Sequence, residues 1–175
     1  KEGKLDLSRF AKGYIFNLKG SARGFLNDMK IYADLSSMIG KAKADIRMGD
    51  VISDNPIALS GVLRTEDLDL GRIIGTDLIG PATLRTGLDA RLGKGAPQVE
   101  LDSLIVDRLM LNGYDYSGIA AAGKLEERSF DGKLICNDPN LNFLFQGTFA
   151  LSSKTKNSRY QFYANVGHAD LHKLN

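Results

Sequence analysis

The chain is 175 residues long, enough for one domain with a sizeable core, and its 23 Lys and Arg stand against 21 Asp and Glu, a net charge of +2. The charges alternate singly with apolar residues, so no basic stripe marks a nucleic-acid or anionic-membrane surface. A single cysteine, Cys136, excludes an internal disulfide framework, no apolar run approaches the ~20 residues of a membrane helix, and the opening Lys1-Glu2-Gly3-Lys4 lacks a signal-peptide apolar region.

In chain order, Leu5 and Leu7 alternate with Asp6 and Ser8 in a short strand from Lys4 to Phe10, with a turn at Ala11-Lys12-Gly13. Tyr14, Phe16 and Leu18 form a second strand that closes before Gly20. Met29, Ile31, Ala33 and Leu35 share one parity, as do Ala42, Ala44, Ile46 and Met48, with Lys, Asp, Arg and Ser between them. Successive strand side chains leave opposite faces, so each run predicts a strand with one apolar and one wet face. After a loop at Ser53 to Pro56 the alternation resumes from Ile57 to Arg64.

The segment from Thr65 to Gly75 breaks the pattern. A capping residue, early acids, Leu70, Ile73 and Ile74 at helical spacing and a closing glycine predict a short helix. Gly167 to Asn175 carries a similar Asp-Leu pattern and predicts a second one, so the chain reads as an internal duplication, 1–75 and 76–175, with a period of roughly 100 residues. Between the two, Ala82, Leu84, Leu88, Ala90 and Leu92 share a face. The phase then slips near Ser103 and again near Asp107-Arg108, which predicts bulges or reversals. Ile119, Ala121, Gly123 and Leu125 follow. Phe130 to Leu151 reads as two strands around a turn at Asp138-Pro139-Asn140, and Tyr160, Phe162, Ala164 and Val166 end the series.

Chemistry is scarce. His168 and His172 are the only histidines and stand four apart in the second expected helix, too few for zinc, which wants three or four ligands. A nucleophilic triad would have to be built at the extreme terminus. Cys136 lies on the apolar parity as a small buried hydrophobe, and Asp67 with Asp69 suits the positive end of a helix dipole. No phosphate-cradling glycine loop is present. The chain therefore reads as non-enzymatic, with no metal and no cofactor.

Ten or so strands with one apolar face each need a cover that two short helices do not supply. Pattern alone favours a two-sheet β-sandwich, the ordinary face-to-face solution. The order Leu59-Ser60-Gly61-Val62-Leu63-Arg64, then Asp67 to Gly75, then Phe130 to Leu141 and Tyr160 to Val166 before Ala169-Asp170-Leu171, resembles the AsmA and TamB group of bacterial envelope proteins, chiefly over 57–175. That resemblance implies an all-β segment, 1–175, of a longer periplasmic protein of a Gram-negative bacterium, tethered to the inner membrane by a helix outside this chain. Its mainly antiparallel sheet would curl into a taco-like groove that carries phospholipid acyl chains between the inner and outer membranes and supports outer-membrane assembly. The groove lining expected on this reading is Leu59, Leu63, Leu84, Leu88, Leu92, Ile119, Leu134, Phe143, Phe145, Phe149 and Phe162. Expected partners are acyl chains, an outer-membrane barrel assembly protein reached through other regions, and further copies through open sheet edges, with no nucleic acid. The competing reading is a closed β-sandwich binding or scaffolding module acting through its loops.

Overall fold

The computed structural model describes residues 16–25, 27–50, 56–93, 98–126, 129–150 and 159–174. The strands are β1 (Phe16–Phe25), β2 (Asp28–Ser37), β3 (Gly40–Gly49), β4 (Ile57–Asp69), β5 (Ile79–Leu92), β6 (Gln98–Leu111), β7 (Tyr114–Glu126), β8 (Ser129–Asp138), β9 (Leu141–Ala150) and β10 (Arg159–Ala169), with one helix among the described residues, α1 (Leu70–Ile74), after β4. They form a single 10-stranded antiparallel sheet in sequence order, curled but not closed. Period-two alternation makes each run half-apolar, and short connections force neighbours in sequence to become neighbours in space. The β6–β7 hairpin shows why: Asn112 and Gly113 both take positive φ (50° and 82°), the pair of left-handed residues that a two-residue turn needs to match strand twist.

A two-sheet sandwich is not formed by the described residues. Their main packing is between neighbouring strands of the one sheet, plus α1 against β5. The expected strand at Lys4 to Phe10, its turn, and most of the loop before Pro56 lie outside the described residues. Gly20 does not close β1 but sits mid-strand opposite Ala33, because a glycine inside a paired ladder costs entropy without breaking the pairing.

The helix is shorter than its sequence pattern. Thr65 to Asp69 stay in β4, since the Thr65 hydroxyl donates to the Ala82 carbonyl (2.9 Å) and accepts from the Leu84 N–H (3.2 Å), tying it to β5. Asp69 is the cap, accepting from Arg72 N at 3.0 Å, and Gly75 ends the helix with φ 78°. The second expected helix is a single turn: β10 runs through Ala169, and only the Asp170 carbonyl accepts, from Lys173 N and Leu174 N. The two segments nonetheless match in one detail. The Asp69 N–H donates to the Ile39 carbonyl and the Asp170 N–H to the Asn140 carbonyl, each in the preceding hairpin turn, at positions roughly 100 residues apart.

Both phase slips are bulges. β5–β6 pairing skips Asp102 between Gly87↔Ser103 and Leu88↔Leu101, and skips Asp107 between Thr83↔Arg108 and Leu84↔Val106. Each extra residue resets parity, which returns Leu101, Leu104, Val106 and Leu109 to one face. Burial concentrates toward the end of the sheet that carries α1, at Leu68, Ala82, Val106 and Cys136. Among the described residues no large side chain is fully buried.

Candidate functional site: an uncovered apolar face

The strand register places residues in lines that cross the whole sheet. One runs Leu18, Leu35, Ala42, Thr65, Leu84, Val106, Ile119, Cys136, Phe143, Val166, and the next Gly20, Ala33, Ala44, Leu63, Thr86, Leu104, Ala121, Leu134, Phe145, Ala164. A third line includes Ile31, Ile46, Leu88, Leu101 and Phe162, and a fourth Met29, Met48, Leu59, Val99, Phe130 and Phe149. All the expected lining residues therefore share this face, with Leu92 one step beyond the fourth line, opposite Ile57.

No side chain in these four lines is charged. The few polar ones are turned inward on the sheet itself: the Thr65 hydroxyl is occupied as above, and Thr86 Oγ1 donates to the Gly87 carbonyl at 3.1 Å. Tyr160, on the edge strand, is the exception. The face thus offers methyls, methylenes and rings and almost no handle for a polar ligand. Ten strands spaced ~4.8 Å apart give it a length of about 43 Å, comparable to a bilayer with its headgroups.

Leu18, Phe162 and Val166 on these lines are 51–59% exposed, so among the described residues the face is not folded away in a closed core. Its β7–β10 end is built differently from the rest. Gly123, Gly132 and Gly147 stand in line on adjacent strands, and the rings of Phe130, Phe145, Phe149 and Phe162 pack around them at centroid separations of 5.2–6.0 Å. A Cβ at Gly132 would come 2.8 Å from the Phe130 ring, and Gly147 has φ 141° with the Gln161 carbonyl where its Cβ would lie. Neither the glycine line nor the bulge-restored Leu104 and Val106 is among the lining residues expected from sequence. The signal for the glycines was their shared parity with phenylalanines.

The opposite face is wet and cross-paired. Arg47 grips Asp28 through two 2.6 Å bonds and holds its carboxyl below the usual range, and Lys41–Glu66, Lys43–Asp34 and Lys124–Glu100 join adjacent strands at 2.8, 3.2 and 3.1 Å. Pairing also lines up cations that are scattered in the sequence: Lys43, Arg64 and Arg85 in one line, Arg23, Lys30 and Arg47 in another. The expectation of no basic stripe is corrected here, because alternation along a strand says nothing about alignment across strands. Shallow depressions of about 200–330 Å³ lie largely among these charged residues.

One buried carboxylate stands apart. Burial pushes Asp138 up, but bonds donated by Tyr114 Oη (2.5 Å), Asn140 N, Ser117 N and Ser117 Oγ together outweigh it and hold the carboxyl below its usual range. Asn140 Nδ2 donates to Tyr114 Oη, closing a network that fastens β7 to the β8–β9 turn. It is a structural clasp. Cys136 is buried and its thiol is pushed up by that burial. His168 lies in β10 and His172 in the terminal turn, so they do not share a helical face. Asp67 takes φ 45° at the β4 bulge and receives Arg108 Nη1 at 2.9 Å, leaving Asp69 alone at the helix start. Among the described residues no three His, Cys, Asp or Glu side chains group as a metal site, and no helix is long and apolar enough to cross a membrane.

In comparisons with family models, curated proteins and solved structures, nothing matches this chain.

Proposed function

We propose that this chain is a length of a periplasmic envelope protein of the AsmA and TamB kind, whose apolar face carries phospholipid acyl chains between the inner and outer membranes without catalysing a reaction. The observation that carries the reading is the charge-free face, continuous over ten strands and with no second layer over it among the described residues. A ~16-carbon chain crossing water costs on the order of 12 kcal/mol at ~0.8 kcal/mol per methylene, and an apolar lining removes most of that cost. A lining without fixed donors holds every methylene alike, which lets a chain slide instead of lodging at one site. The membrane tether and the contact with an outer-membrane barrel assembly protein belong, on this reading, to other parts of the protein. A closed scaffolding module acting through its loops would need a second layer over the face, and the described sheet has none.

The test is a photoreactive side chain placed at Leu88 or Phe145 on the apolar face, or at Asp131 or Gln146 on the other. After incubation with phosphatidylcholine, which carries no net charge, adducts at the first pair and none at the second are expected. Equal labelling of both faces, or none on either, would refute the reading.

A further inference from the structure

The outward face of β1 to β5 carries an arrangement that costs stability and so asks for a reason. Lys43 stands opposite Arg64 and Arg64 opposite Arg85, while four residues along β3, about 13 Å away, Lys30 stands opposite both Arg23 and Arg47. Like charges directly opposed destabilise a sheet. Elsewhere on this face the register sets cation against carboxylate, as with Lys41 and Glu66 or Lys124 and Glu100. Only one member of each ladder is neutralised by an ion pair, Lys43 by Asp34 and Arg47 by Asp28. Arg23, Lys30, Arg64 and Arg85 are exposed and form no ion pair among the described residues, and Asp45, between the ladders, pairs with neither.

We propose that this cationic half-face docks on the headgroups of an anionic phospholipid surface. Two ladders about 13 Å apart are too far separated for one phosphate to serve both, so the partner presents several anions over an area. Between the ladders stand Tyr32 and Val62, 46% and 42% exposed, on either side of Asp45. An amphipathic phenol and an aliphatic side chain among cations match the boundary between headgroup and hydrocarbon. The Lys43 ladder then continues into Ile105, Ala120, Ile135 and Leu144 on β6 to β9, so the same line passes from charge to apolar surface. A uniformly acidic polypeptide would leave that apolar stretch unmatched. The docking face is the reverse of the acyl-lining face, and the two assignments stand or fall separately.

The experiment is co-sedimentation of the protein with phosphatidylcholine vesicles, with and without phosphatidylglycerol, over a range of salt. Binding to the anionic vesicles only, weakening as salt rises, is expected. At about fivefold per cation, Arg64→Gln with Arg85→Gln lowers the affinity roughly 25-fold, and Arg23→Gln with Lys30→Gln does the same. Both pairs keep or raise the melting temperature, since each removes a repulsion. Lys133→Gln with Arg159→Gln, an equal loss of charge elsewhere, leaves binding near that of the parent. Parent-like vesicle binding by both ladder variants overturns the proposal, as does retention of polyglutamate or inorganic phosphate at the ladders without any vesicle binding.

Discussion

A glutamate at Leu88 separates an open apolar face from a covered one. Leu88 lies mid-line between Gly61 and Leu101 and is half-buried. Full burial of a leucine is worth about 2–3 kcal/mol, so Leu88→Glu forfeits roughly half of that, and on an open face the carboxylate stays in water with no further penalty. A domain of ~5–15 kcal/mol stability survives this with a modest drop in melting temperature. Under a second layer the same carboxylate would be an unpaired buried charge, adding several kcal/mol and unfolding the chain. The effect on an acyl chain is the reverse. Laying hydrocarbon against an ionised carboxylate costs several kcal/mol, so lipid capture by a photoreactive residue at Phe145 should fall at least 100-fold at neutral pH and recover as acid protonates the glutamate. Thermal unfolding and crosslinking yield, measured on the same preparation, check both halves. Unfolding of the variant, or undiminished capture at neutral pH, would overturn the open, acyl-binding face.

Other outcomes follow from particular contacts. Gly147→Val places a Cβ against the Gln161 carbonyl at φ 141° and should cost about 2–4 kcal/mol, read as an earlier denaturation midpoint with an unchanged m-value. Because the folded Asp138 carboxyl titrates below its ordinary value of 3.8, its stabilisation is complete above that value and is lost as pH falls through the lower folded one. Melting temperature measured between pH 6 and 2 should therefore fall more steeply for the parent than for Asp138→Asn, and identical slopes would contradict the clasp. β1 and β10 each have one unpaired edge among the described residues, so self-association that grows with concentration is expected in light scattering. Replacing His168, His172 and Cys136 together should leave lipid capture within about twofold of the parent, as none faces the chain with chemistry the lining requires.

Period two was legible because it is local. Strand parity from Met29 to Val166 depends only on which neighbours are apolar, and even the two bulges showed as slips of phase at Ser103 and Asp107 before any partner strand was known. Each expected lining residue reached the apolar face for the same reason: a strand cannot put Leu84 and Leu88 on opposite sides without an odd residue between them. The Asn112-Gly113 hairpin was equally local and would have been found by turn chemistry. Helix ends were less legible, because the Thr65 hydroxyl had two uses, as a cap or as a bond to β5, and only the presence of β5 chose between them.

Register and cover belonged to the tertiary structure. Which residue faces which across strands depends on turn lengths and bulges summed over many residues, so the alignment of Lys43 with Arg64 and Arg85, or of Gly123 with Gly132 and Gly147, is invisible in a one-dimensional pattern. Alternation likewise asks for an apolar face to be covered without saying by what. A second sheet, a closed barrel or a bound chain satisfies it equally, and the single open sheet of the described residues, with its leucines and phenylalanines left half-exposed, sets aside the first two.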